Sequence, residues 1–413
     1  MNRKILALLG LAFISSSAFA AANWPQFRGP DRTDVSKETG LLKKWPAGGP
    51  KVVWMNKDVG LGYAGYSIVG DTLYSMGARG NEQLIAVNLK DGSEKWKTDI
   101  GPVFGNKWGD GPRATPTVDG DHVYALGGQG NLICVEAKTG KVVWETSMKK
   151  LGGGTPGWGY CESVLVDGDN VICTPGGKDG AIAALNKKTG AVVWQSKEFT
   201  DGAQYASIIA ADHNGTRQYI QLTMKSIVGI DAKTGKQLWK SSFPGATAVI
   251  PTPIFHDGHV YVTAGYGVGC KMIKIGEGNK VTEVYSNKTM VNHHGGVILV
   301  GDHLYGYSDG KGWVCQDFKS GEMVWNEKGK MNKGAIAYAD GMLYLLEEAT
   351  GNVSLIEASS EGYKEVSRFT LSPQTKQRSP SGRIWTHPVI TDGKLYLRDQ
   401  ELLFCFDVSA KTN

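Results

Sequence analysis

"EAKTGKVVW" at residues 136–144 decides how this chain is read. An acidic or amide residue opens it, a Thr-Gly turn reverses it, and an apolar run ends on tryptophan. The pattern returns as "NKKTGAVVW" (186–194), "DAKTGKQLW" (231–239) and "DFKSGEMVW" (317–325), and more loosely as "NLKDGSEKW" (88–96). With an aromatic residue at the same place the register runs Trp54, Trp96, Trp144, Trp194, Trp239, Tyr285, Trp325 and Phe369. The spacing is about 45 residues, the length of one supersecondary unit repeated along a chain. Tyr285 and Phe369 lack the Thr-Gly turn, yet the upstream half of their units is intact.

That upstream half is a hairpin. "VDGDHVYALGG" (118–128), "VDGDNVICTPGG" (166–177), "HDGHVYVTAG" (256–265) and "TDGKLYLRDQ" (391–400) place Asp-Gly between short apolar runs. Glycine takes the positive φ that a tight turn requires, so this is a strong hairpin signal. A third alternating run and the Trp-bearing fourth complete four short antiparallel strands, which is one propeller blade.

Eight hairpins begin near Ser67, Thr115, Ser163, Ser207, Thr252, Gly296, Ala335 and Thr386. The last has no Trp turn after it, and Trp54 has no hairpin before it. The expectation is therefore an all-β, eight-bladed propeller in which the N-terminal strand at 51–55 completes the last blade. Such closure removes a free sheet edge. Each indole should cover the neighbouring blade and bury roughly 150–250 Å². The 56 glycines, about twice the usual share, agree with many turns.

Outside the repeat, Arg3 and Lys4 precede the apolar run 5–14 and an Ala18-Phe19-Ala20 site. This is the pattern of a secretory signal peptide over residues 1–20, cut after Ala20. The expected organisation is a signal peptide, an extension over 21–50 and one propeller over 51–413. A periplasmic or secreted protein follows, with no membrane span. A net charge of +5, scattered along the chain, gives no footprint for nucleic acid. Cys134, Cys315 and Cys405 share one blade position in non-adjacent blades, so they are read as free thiols acting as small hydrophobes.

The Asp/Asn-x-x-Thr-Gly-x-x-x-Trp units resemble the tryptophan-docking repeats of the quinoprotein alcohol dehydrogenase superfamily, the eight-bladed PQQ-like propellers. The longer strings "WGDGPRATPTVDG" (108–120), "GWGYCES" (157–163), "NHHGG" (292–296) and "WTHPV" (385–389) are similar to those of exported bacterial PQQ-like repeat proteins. Fold follows from the resemblance, whereas function has to be argued from a site.

The loops that lead into each blade line one mouth of the channel. They carry Trp108 and Arg113, Trp158 and Glu162, Tyr205, His293 and His294, and Arg383, Trp385 and His387. Aromatic rings and charges converging from separate blades suit a planar or anionic ligand, by stacking and by an arginine fork to a carboxylate. The competing reading is that the rings plug the channel and the charges satisfy one another. No metal site is expected, because neighbouring strand residues such as His293 and His294 face opposite ways.

Three function classes follow. The first is a propeller that binds a small molecule or a protein partner at its mouth without catalysis. The second, implied by the resemblance, is a PQQ- and Ca²⁺-dependent alcohol or sugar dehydrogenase. In that case Glu162 ligates the metal, Arg113 or Arg383 contacts the quinone and Trp385 stacks on it. The adjacent-cysteine disulfide of such enzymes is missing here. The third is an outer-membrane assembly-type scaffold.

Overall fold

Two of the four Asp-Gly turns close as expected, with Asp257 and Gly258 at φ of 46° and 73° and Asp392 and Gly393 at 53° and 63°, whereas the other two turn one residue later, at Gly120-Asp121 and Gly168-Asp169. Positive φ at both central residues gives the turn whose twist matches that of the flanking strands. The Thr-Gly turn is built differently. Asp231 accepts from the backbone N–H of Lys233 and Thr234 and from the Thr234 hydroxyl, while Gly235 turns the chain at φ 72°.

These turns organise a computed structural model that describes residues 23–410. Its strands form eight sheets, and each contains a four-stranded antiparallel meander. Blade 1 spans Tyr66–Val69 to Glu94–Pro102, and blade 2 spans Thr117–Asp119 to Val142–Ser147. Blades 3 to 7 follow in order, the seventh ending with Glu365–Thr370. Blade 8 takes three strands from Val389–Thr391, Lys394–Asp399 and Leu402–Asp407 and its fourth from Lys51–Asn56. The ring is thus closed by the N-terminal strand. The core lies between blades: one buried cluster joins Val87 of blade 1 to Leu403 of blade 8, and another joins Ile220 of blade 4 to Val262 of blade 5.

Docking of the indoles is visible as hydrogen bonds to the next blade. Trp54 donates to the Leu89 carbonyl at 2.7 Å, Trp96 to Ala137 at 3.1 Å, Trp144 to Lys187 at 2.9 Å and Trp325 to Ser359 at 2.8 Å. Each of the first three rings also lies on the turn glycine of that blade. A Cβ on Gly140 would come within 2.5 Å of Trp96.

Two members of the register behave otherwise. The Trp239 N–H stays within its own blade and donates to Gln218 at 2.6 Å. The opposite residue is Gly229, where a Cβ would stand 2.2 Å from the indole, so only glycine leaves room for this pose. In blade 7 the docking place belongs to Ser367, which pairs with Leu355 as Trp96 pairs with Ala86; Phe369 lies two residues beyond it. Trp45, from before the first blade, stands in. Its ring lies 5.9 Å from Tyr344 and 5.2 Å from Phe369, and its backbone N–H donates to the Ser367 hydroxyl.

The segment ahead of Trp45 is threaded through the ring. Trp24 exchanges two 2.8 Å backbone bonds with Ile68 of blade 1, and Val35–Ser36 pairs in parallel with Tyr338–Ala339 of blade 7. Between them Arg32 is buried and donates to the carbonyls of Ser163, Val164 and Ile208. Burial lowers its pKa to about 10. Arg28, Arg32 and Asp34 all have φ between 55° and 63°, a conformation held only where surrounding contacts enforce it. All six cysteines are free, as read for Cys134, Cys315 and Cys405. No described helix is long and apolar enough to cross a membrane. The signal-peptide segment lies outside the described residues.

Candidate functional site

The blade-entry loops and the N-terminal thread line a half-open cavity of about 230 Å³. The thread supplies its floor through Trp24, Phe27, Arg28 and Asp34. The loops supply the wall. Trp108 and Arg113 come from the loop before blade 2, Trp158 from that before blade 3, and Tyr205 from that before blade 4. His293 and His294 precede blade 6, and Trp385 and His387 precede blade 8.

The rings of the wall touch in sequence. Tyr63 and Trp385 have centroids 4.8 Å apart, Trp385 and His294 5.3 Å, His294 and His293 4.4 Å, and His293 and Tyr266 4.4 Å. On the far side Trp158 meets Tyr205 edge-on at 5.8 Å. His293 and His294 sit in irregular chain between strands, which lets neighbouring residues present both rings to one space. Among the described residues no cluster of three His, Cys, Asp or Glu could hold a metal.

Arg113 is held by its own loop. It donates to the carbonyls of Gly109, at 2.7 Å, and Gly111, and its guanidinium lies 4.6 Å from the Phe104 ring centroid and 5.5 Å from that of Tyr63. Burial lowers its pKa. The loop can take this shape because Gly109 and Gly111 have φ of 135° and 96°. A Cβ on either would meet Tyr63 Oη or the Leu61 carbonyl at 2.2 Å.

Behind the wall runs a polar string. His294 Nδ1 stands 3.1 Å from Glu348 Oε2, which also accepts from Trp385 Nε1 at 3.2 Å. Lys333 bridges His293 Nδ1, at 3.2 Å, and Asp309. Burial pushes the Glu348 carboxyl up to about 7. Burial, reinforced by Lys333, pulls His293 down to about 4 and His294 well below the usual imidazole range. Both shifts favour the neutral imidazole.

Of the residues expected at the mouth, Trp108, Arg113, Trp158, Tyr205, His293, His294, Trp385 and His387 line the cavity, and Glu162 and Arg383 do not. Glu162 is 1% exposed and wedged between blades 3 and 4. It accepts from the backbone N–H and hydroxyl of Thr174 and from Gln221. Its carboxyl is pushed up to about 7 by burial and does not line the cavity. Arg383 donates to the carbonyls of Gly382 and Pro380. Sequence reasoning missed Glu348, Tyr266 and the floor residues Phe27, Arg28 and Asp34. The floor had one readable signal: "FRGPDRTD" at 27–34 is dense in charge, ahead of the repeat.

The PQQ–Ca²⁺ pair implied by the resemblance finds side chains that do not suit it. Ca²⁺ takes six to eight oxygen ligands. The carboxylates at or just behind the wall include Asp34, already paired with Arg28 and His387, Glu348, already bound by His294 and Trp385, and Asp309, already paired with Lys333. PQQ is a tricarboxylate, and of the two arginines that line the cavity only Arg113 lacks a carboxylate partner.

Comparison with known proteins agrees on the architecture. A family profile described as outer membrane protein assembly factor BamB matches residues 80–327. Polyvinylalcohol dehydrogenase from Pseudomonas sp is 32% identical over 93 residues, which are 21% of this chain and 15% of that protein. The enzyme of the same name from Sphingopyxis sp. (strain 113P3) is 38% identical over 95 residues, 21% of this chain and 14% of its own length. This chain therefore matches only a small part of those relatives. Among solved structures, quinohemoprotein alcohol dehydrogenase from Comamonas testosteroni superposes with a TM-score of 0.64 at 13% identity, covering 96% of this chain and 82% of that one. BamB from Moraxella catarrhalis superposes with a TM-score of 0.60 at 16% identity, covering 84% and 95%. At such identities the likeness carries the fold alone.

Proposed function

This chain belongs to the PQQ-like repeat family described as outer membrane protein assembly factor BamB, and on that premise we propose that it is an exported propeller that binds a small molecule in its mouth without redox turnover. One observation carries the reading: the channel is floored by the N-terminal thread and walled by aromatic loops from separate blades, leaving a half-open cavity of about 230 Å³. Concave, largely apolar sites with a few oriented polar groups are where small ligands bind.

The mismatch between the wall and the PQQ–Ca²⁺ pair weighs against the dehydrogenase alternative. Binding is the role these residues suit. Trp108, Trp158, Trp385, Tyr63 and Tyr205 provide ring faces for stacking. Arg113 provides oriented N–H donors, and the thread excludes water from below. A ligand that binds only the folded chain raises its melting temperature by mass action. The test is thermal unfolding of the mature chain alone, with Ca²⁺, with PQQ plus Ca²⁺ and with a library of small organic molecules, beside a dye-linked assay on alcohols and aldose sugars. Stabilisation by library members without turnover supports the reading. Turnover that requires PQQ and Ca²⁺ overturns it.

A further inference from the structure

We propose that the mouth selects a flat monocarboxylate, a single carboxylate on an aromatic or unsaturated ring. The inference rests on the small-molecule reading above and names its ligand class. Its basis is the charge inventory of the cavity. Two arginines and one carboxylate line it. Arg28 and Asp34 form an ion pair at 2.7 Å, with both side chains 1% exposed, and cancel each other. Of the three imidazoles that line the cavity, His293 and His294 are shifted toward the neutral form, and His387 is taken up by Asp34 at 2.7 Å. Arg113 is left as a half-buried cation whose hydrogen-bond partners are backbone carbonyls.

An arginine presents five N–H donors in a planar fork. The carbonyls of Gly109 and Gly111 hold one donor on each terminal nitrogen, which fixes the plane and leaves the other donors for a ligand. The guanidinium carbon stands over the Phe104 ring at 4.6 Å and the Tyr63 ring at 5.5 Å, which adds to its positioning. A fork held this way is organised for a carboxylate before the ligand arrives, so little rotamer entropy is lost on binding. Beyond it the wall is Trp385, Trp158 and Tyr205, which suits a ring lying against ring faces.

The same inventory excludes neighbouring classes. A second ligand carboxylate would be buried with no cation to meet it, against Asp34 and Glu348, and an unpaired buried charge is costly. A cationic ligand would be buried beside Arg113. A neutral isostere gives up the charge-assisted fork.

The test is calorimetric titration of the mature chain at pH 7 with benzoate, benzamide, benzylamine and phthalate, on wild type, Arg113→Lys and Arg113→Gln. Native mass spectrometry of the protein as purified runs beside it. Benzoate is expected to bind about ten- to a hundredfold more tightly than benzamide, the worth of hydrogen bonds to a charged group. Phthalate and benzylamine are weaker still. Arg113→Gln brings benzoate to the benzamide level. Arg113→Lys, which keeps the charge and loses the fork, weakens benzoate at least about tenfold. Unchanged unfolding midpoints show that both variants fold, and if either fails to fold the wild-type order of the probes decides. Benzamide, benzylamine or phthalate binding as tightly as benzoate overturns the monocarboxylate, as does a neutral or cationic molecule retained by the purified protein, and either leaves the small-molecule reading standing. No heat with any probe and no retained species overturns both.

Discussion

Asp34 Oδ2 stands 2.7 Å from His387 Nδ1, across 353 residues of chain, and this contact joins the N-terminal thread to the entrance of the last blade. Arg28 holds the same oxygen from the other side. The thread is therefore part of the ring: it carries the floor of the cavity and ties blades together across the channel.

Arg32 is a second tie between the thread and the ring. Removing its side chain strands the carbonyls of Ser163 and Ile208 in a buried place, while Val164 keeps the Thr117 hydroxyl. Arg32→Ala is expected to cost more than about 2 kcal/mol, since each of the two buried groups left without a partner costs ~1–3 kcal/mol. Denaturant unfolding measures it, and a loss below about 1 kcal/mol would mean that water replaces the guanidinium. Deleting residues 24–36 should cost more still, whereas cleavage after Ala20 leaves the thread intact.

Trp144→Ala is expected to destabilise by roughly 3–5 kcal/mol, as loss of a large buried aromatic does. Trp45→Ala should fall in the same range although Trp45 lies outside the repeat, because its ring fills the docking place of blade 7. A Trp45→Ala loss under about 1 kcal/mol would leave blade 7 undocked in solution.

The turn glycines give a sharper contrast. Gly140 combines a φ of 73° with the Trp96 ring lying against it, so Gly140→Ala should cost at least ~1 kcal/mol. Gly154 has no neighbour that a Cβ would meet and no positive φ, so Gly154→Ala should stay within about 0.5 kcal/mol. Equal effects would count against ring-on-glycine docking.

Stability should depend on pH through Glu348. Its folded pKa, about 7, lies above the ordinary 4.5. A raised carboxyl pKa contributes stability that is present below the unfolded value and lost as pH rises toward the folded one. The loss falls between pH 4.5 and about 7, and at 1.36 kcal/mol per unit it amounts to at most roughly 3 kcal/mol. Glu348→Gln should remove this contribution from the slope and leave that of Glu162, also raised to about 7. His293 works in the opposite sense. Its pKa is lowered to about 4, so its contribution is present above 6.5 and lost as pH falls through that window. Melting curves across pH 4 to 8 on wild type and Glu348→Gln check the sign. An identical slope in both removes Glu348 from the account.

The blades were legible in the sequence because their chemistry is local. An Asp-Gly hairpin or a Thr-Gly turn is decided by φ and by hydrogen bonds within a few residues, and the period counts the units. Ring closure was legible too, since a lone hairpin at one end and a lone Trp strand at the other leave one pairing that buries both edges. Most of the mouth followed from the same count, because blade-entry loops converge wherever the ring closes. Arg32 on Ser163 and Asp34 on His387 were decided by the tertiary structure alone, across 131 and 353 residues, where no spacing rule reaches. So were Glu162, which the packing of blade 3 on blade 4 turned inward, and Glu348, which gained its partners only when the loops before blades 6 and 8 met behind the wall. Sequence specifies which turns the backbone makes; which side chains face one another across the channel is set by how eight such units close.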